Sequence, residues 1–196
     1  MSSNSPFSIA VFCAAASDIA SEYFEQTARL GCWIGQQGWR LVYGGARLGL
    51  MECVAYSAKE AGGTVVGVVP DKLVERSIVS SLPDEIILVH SLGQRKELML
   101  RESDVFIALP GGIGTLDEIF HVLGESSIGY HSKPVLLYNV DGCWDSTLNL
   151  FHDLRQRGLL RHDLTERLLV VNSWKELIEL LRSLHFKHCQ HKNEII

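Results

Sequence analysis

The chain has 196 residues, 46% of them apolar and 21% charged, with a formal charge of −5. That apolar share excludes a disordered chain, and the length favours one domain with a sizeable core. The acidic balance argues against the electrostatic attraction that non-specific nucleic-acid or anionic-membrane binding requires. The longest uncharged core-like run, residues 105–116, holds a proline and three glycines and falls short of the roughly 20 residues that cross a bilayer. Residues 7–16 end in Ala14-Ala15-Ala16, as a leader peptide would, but no Lys or Arg precedes Arg29, so a buried first strand is expected instead. Cys13, Cys32, Cys53, Cys143 and Cys189 are odd in number, scattered and without a CxxC pair. That usage fits reduced thiols in the cytoplasm better than a disulfide frame or a zinc site.

Along the chain, short apolar runs alternate with longer amphipathic ones. Residues 7–12 read as a strand, and 18–37 carry apolar side chains near helical spacing, closed by Gly38. A strand over 39–43, a helix over 48–61 and a strand over 64–69 follow. Residues 71–84 are polar and read as an irregular connection. Strands are then expected at 86–89, 104–109, 134–138 and 168–171, with helices over 92–102, 116–126, 147–157 and 174–184. Unbroken apolar strands alternating with helices predict an α/β fold, a single-domain doubly wound, Rossmann-like parallel sheet with helices on both faces. Residues 1–184 form that nucleotide-binding domain in this reading, and 185–196 a polar C-terminal tail. His185, His188, Cys189 and His191 crowd the tail, but without a carboxylate partner they read as a polar helix end, not a metal site.

Nine of the 17 glycines fall in three windows: Gly44, Gly45 and Gly49; Gly62, Gly63 and Gly67; Gly111, Gly112 and Gly114. The first and third follow strands, where open parallel sheets bind their ligands. The middle one precedes a strand and reads as a helix C-cap. In Leu109-Pro-Gly-Gly-Ile-Gly-Thr-Leu-Asp-Glu118 the glycines let successive N–H groups form an anion-binding concavity at a helix N-terminus. It is neither GxGxxG nor a P-loop, because no Lys follows the last glycine. Arg95-Lys96 would ordinarily be a solvated surface pair. Turned into the crevice, Arg95 supplies a fixed positive fork.

Together these segments resemble the LOG ("lonely guy") family, whose members often carry a lysine-decarboxylase-like label, over roughly residues 8–182. Pro-Gly-Gly-x-Gly-Thr-x-x-Glu is present as residues 110–118. Arg95-Lys96 and Tyr43-Gly-Gly through Gly49-Leu-Met51 match as well, as do Gly129-Tyr-His-Ser-Lys-Pro134 and Asn139-Val-Asp-Gly142. The resemblance implies hydrolysis of the N-glycosidic bond of a nucleoside 5′-monophosphate, a cytokinin riboside 5′-monophosphate or AMP, to free base and ribose 5-phosphate. It makes Arg95 and Glu118 the catalytic pair. Gly111, Gly112, Ile113, Gly114 and Thr115 become the phosphate cradle, with Lys96, Gly45 and Met99 also binding substrate. A homodimer is implied, with no metal, cofactor, nucleic-acid or membrane partner. Departures cluster near the nucleotide and base pockets: Ala14-Ala-Ala16 replaces Gly-Ser-Ser, Ala46 a third glycine, Glu52 a glycine, and residues 122–127 a tryptophan-containing stretch.

Cleaving a ribose–base bond builds positive charge on C1′ and the ring oxygen, so a carboxylate is needed there, and Glu118 is the candidate. Asp117 is turned about 100° away on the same helix. A literal decarboxylase would need a Schiff-base lysine with an acid at the pyridine nitrogen, and no local setting offers one. Two alternatives remain: a nucleotide or molybdenum-cofactor carrier on the same fold, and a nucleosidase of broader base choice.

Overall fold

The computed structural model describes residues 6–160 and 167–194. Seven parallel strands form one sheet: β1 (Ser8–Phe12), β2 (Arg40–Tyr43), β3 (Thr64–Pro70), β4 (Glu85–Val89), β5 (Val105–Ala108), β6 (Val135–Tyr138) and β7 (Leu168–Val171). Their order is β4-β3-β2-β1-β5-β6-β7. The chain builds outward from β1 in one direction, then returns to place β5 on the other side of β1. The topological switch therefore lies between β1 and β5, where connections diverge beyond the strand ends and leave a crevice.

Alternation along each strand splits the core into two layers. Ile9, Val11, Leu41, Tyr43 and Ile107 face α1 (Ser21–Gln36), α2 (Gly49–Glu60) and the long terminal helix α7 (Trp174–Glu194). Ala10, Phe12, Val42, Phe106 and Ala108 face the other way, packing with side chains of α4 (Leu92–Arg101), α5 (Ile113–Ser127) and α6 (Asp145–Gln156). Complete burial of each large aliphatic side chain contributes about 1.5–3 kcal/mol, so the central strands anchor the whole arrangement. The expected α/β architecture with helices on both faces is what the structure shows.

Several boundaries differ from expectation. The segment over 71–84 is not wholly irregular: it opens with a short helix, α3 (Asp71–Glu75), and Val79 makes an antiparallel bridge to Ala46. Helix α5 begins at Ile113, three residues earlier than its apolar spacing indicated, so Gly114 and Thr115 belong to its first turn. The terminal helix does not stop at Leu184; it runs on to Glu194. His185 and His188 each meet Phe7 edge-on at 5.1 Å between ring centres, and His185 also lies 4.9 Å from Trp39. These imidazoles extend the apolar seam at the amino end of the sheet, which is why residues polar by composition still continue a packed helix. The side chain of His191 lies outside the described set.

Candidate active site

At the switch point three connections are tied to each other by main-chain bonds. The Leu109 N–H donates to the Phe12 carbonyl at 3.0 Å, Ala14 N–H to the Pro110 carbonyl at 3.0 Å, and Leu50 N–H to the Ala14 carbonyl at 3.0 Å. The loop after β1 is thereby fixed between the glycine loop after β5 and the start of α2. Around this junction lies a cavity of about 420 Å³, within the range of small-molecule sites. Its floor holds Cys13, Arg95 and Glu118. Gly112, Gly114 and Thr115 form one wall, and Ala14, Ala15, Ala16, Leu48 and Met51 give an apolar one.

Gly112 is the N-cap of α5 and brings no capping side chain, so the first-turn N–H groups carry the positive end of a 15-residue helix without a built-in acceptor. Where a side chain on Gly111 would stand, the Thr115 hydroxyl and methyl already pack, so the loop can fold back on its own helix only with glycine there. Ile113 points outward, 82% exposed.

Helices α4 and α5 meet through Arg95 and Glu118, whose Nη1 and Oε1 lie 3.2 Å apart with side chains 13% and 10% exposed. The Arg95 Nε also donates to the Val68 carbonyl at 3.2 Å, which fixes the guanidinium at a second point. Its Nη2 occupies the space that a side chain on Gly44 would fill. The Tyr43-Gly44-Gly45 turn therefore has a side-chain consequence, since glycine at 44 makes room for the arginine. Burial pushes the Glu118 carboxyl up to about 7, with Arg95 acting against that rise and Asp117 adding to it. Cys13 sits beside this pair. Burial, then the Glu118 charge, push its thiol well above the ordinary range, so it is a neutral neighbour and not a nucleophile.

Other expected site residues lie elsewhere. Lys96 turns to Asp117, with Nζ 2.7 Å from Oδ1, and does not line the cavity. Met99 is fully buried among the core residues beneath β1, β2 and β5. Because α4 runs back from the strand ends, one further turn carries Met99 about 5.4 Å away from the level of Arg95. Gly45, at φ +72, shapes the loop and accepts the Ser80 N–H through its carbonyl at 2.9 Å, but does not line the cavity.

The downstream motifs are structural. His131 Nε2 donates to the Val122 carbonyl at 3.0 Å and its Nδ1 accepts the Lys133 N–H at 3.1 Å, while Lys133 Nζ donates to the Leu100 carbonyl at 2.7 Å. Asn139 donates through Nδ2 to Asp145 at 2.8 Å and accepts the Trp144 N–H at 2.8 Å, closing the turn after β6. Sequence reasoning missed Cys13 as a lining residue, along with Leu73, Arg76 and Ile78 from the segment after β3.

The family described as "Possible lysine decarboxylase" matches residues 51–181. The chain is 37% identical over 172 residues to the cytokinin riboside 5′-monophosphate phosphoribohydrolase of Mycobacterium tuberculosis, spanning 88% of this chain and 91% of that one. It is 36% identical over 185 residues to the protein of the same name from Rhodococcoides fascians, spanning 91% and 90%. Among solved structures, the molybdenum cofactor binding protein of Rippkaea orientalis matches with a TM-score of 0.71 at 28% identity, over 93% of this chain and 99% of that one. No described helix is long and apolar enough to cross a membrane. The chain belongs to the LOG family, whose domain carries the lysine-decarboxylase description.

Proposed function

We propose that this protein is a hydrolase that cleaves the N-glycosidic bond of a nucleoside 5′-monophosphate, a cytokinin riboside 5′-monophosphate or AMP, to give free base and ribose 5-phosphate. The observation that carries this reading is the buried Arg95–Glu118 pair at the floor of a cavity bounded by the start of α5. Relatives bearing the phosphoribohydrolase name over most of the chain support it.

The phosphate is held by the N–H groups of Gly112, Gly114 and Thr115, which places C1′ toward Glu118. As the C1′–N bond breaks, its electron pair leaves with the base and positive charge grows on C1′ and the ring oxygen. The Glu118 carboxylate offsets that charge and takes a proton from the water whose oxygen bonds to C1′. Glu118 passes that proton to the nitrogen of the departing base, which leaves neutral and returns the carboxylate. Arg95 holds the carboxylate in place. It does not serve as the acid, because guanidinium keeps its proton at any working pH. The apolar wall of Ala14, Ala15, Ala16, Leu48 and Met51 supports a base bearing an apolar substituent.

A non-enzymatic carrier is the second reading, favoured by the structural likeness to the Rippkaea protein. A carrier has no use for a carboxylate facing a scissile bond. We assign the active unit to a homodimer, supported by the exposed Phe120, Ile128, Tyr130 and Leu159 on and near α5 and α6. Its setting is assigned to the reducing cytoplasm, supported by the free cysteines among the described residues. The deciding experiment incubates the protein with AMP, other nucleoside monophosphates and N6-isopentenyl-AMP and measures free base and ribose 5-phosphate. Stoichiometric release from at least one is expected, and tight binding without release from any would establish the carrier instead.

A further inference from the structure

The charges around the cavity are unevenly engaged. Arg95 is held by Glu118 and the Val68 carbonyl, and Lys96 by Asp117 outside the cavity. The nest at the start of α5 offers dipoles and no formal charge. A nucleoside 5′-monophosphate, by contrast, brings a phosphate dianion into a protein whose net charge is −5. Among the described residues, Arg76 is the cavity-lining cation with no acidic partner.

Arg76 is the C-cap of α3, and the structure around it is built rather than loose. Ser77 adopts φ +55, the Ile78 N–H donates to the Leu73 carbonyl at 3.2 Å, and the Arg47 N–H donates to the Ile78 carbonyl at 2.8 Å. The Ala46–Val79 bridge and the Ser80 N–H bond to the Gly45 carbonyl complete a strap between this segment and the loop after β2. Leu73, Arg76 and Ile78 are what the segment contributes to the cavity, so its one polar contribution is a guanidinium.

We propose that Arg76 is a substrate-binding residue, the cation that pairs with the phosphate of the bound nucleotide while the α5 nest holds the same group through N–H dipoles. This rests on the nucleotide reading of the site. It also has a catalytic consequence. A dianion arriving without a counter-cation raises the cost of ionising Glu118, whereas one paired with Arg76 leaves that carboxyl free to ionise near neutrality.

The test compares wild type, R76A and R76K. Ribose 5-phosphate and inorganic phosphate binding are measured by calorimetry, and turnover with whichever nucleotide the wild type hydrolyses. Loss of a charge-assisted contact predicts that R76A weakens ribose 5-phosphate binding and raises the nucleotide KM by on the order of 10–100-fold. The acid limb of kcat should also move to higher pH in R76A, and R76K should restore part of both effects. A purely structural arginine would move neither phosphate affinity nor that limb. Phosphate and ribose 5-phosphate affinities within about two-fold of wild type overturn the assignment, as does a wild type that binds none of these anions. Weakened anion binding in R76A beside a wild type that releases no base sinks the hydrolase reading alone and leaves Arg76 in place. Normal turnover with unchanged R76A affinities sinks the Arg76 assignment alone.

Discussion

The same two helices, α4 and α5, are joined by two adjacent ion pairs that live in different media. Arg95–Glu118 is enclosed, with about a tenth of each side chain exposed, and looks into the cavity. Lys96–Asp117, one residue along on each helix, is shorter at 2.7 Å yet leaves Asp117 50% exposed. Distance alone would rank the second pair as the stronger. Environment reverses that order, because water screens the outer pair while burial makes the inner one sensitive to the removal or protonation of either partner. The proposed chemistry is assigned to the inner pair for the same reason: there desolvation brings the Glu118 carboxyl to about 7.

The sharpest way to break the contrast is E118Q, which keeps the shape and removes the charge. Turnover should fall by on the order of 10²–10⁴-fold while nucleotide binding persists, measured by initial rates and by calorimetry. Retention of most of the activity would falsify the assigned role of Glu118.

Next in size is a dependence of stability on pH. A carboxyl whose folded value is raised favours the folded state below its unfolded value and loses that advantage as pH rises through its folded value. From about 4.5 to about 7, the rise in Glu118 corresponds to a loss on the order of 3 kcal/mol. The stability difference between E118Q and wild type, followed by denaturant unfolding, should therefore shift toward the variant as pH goes from about 5 to 8. A flat difference would mean that Glu118 titrates normally. The same ionisation predicts that kcat/KM rises with pH through about 7 in the wild type.

G44A tests the contrast from the side of the backbone. The added methyl group takes the place of Arg95 Nη2, displacing the guanidinium from Glu118. A loss of on the order of 10–100-fold in kcat/KM is expected, since small misplacements at a reacting centre are costly. K96A, at the outer pair, should change stability by less than about 1 kcal/mol and turnover by no more than about three-fold. A large rate effect there would move the reactive pair outward.

Much of the site was legible because its ingredients are backbone requirements. Gly111 and Gly112 fold the loop onto Thr115 and open α5, Glu118 follows at a fixed helical offset from it, and Arg95 reaches Glu118 from α4. The resemblance implies substrate contacts for Lys96 and Met99, whereas helix geometry turns the first toward Asp117 and carries the second into the core. Leu73, Arg76 and Ile78 left no signal, since main-chain bonds hold their segment and main-chain bonds have no side-chain code. The end of α7 was hidden for a different reason. His185 and His188 count as polar in composition but pack edge-on against Phe7.

The strap between the loop after β2 and the segment after β3 separates two tasks that most cavity walls combine. Arg47, Ser80 and the Ala46–Val79 bridge fasten that segment through peptide groups, so Leu73, Arg76 and Ile78 contact the ligand space without holding the wall up. Exchange of those three side chains alters the size and charge of what is admitted at little expense to folding, because loops anchored on a rigid scaffold tolerate replacement. On the proposed nucleotide reading, a lineage carrying this architecture changes its choice of base through these three side chains and leaves the Arg95–Glu118 floor alone.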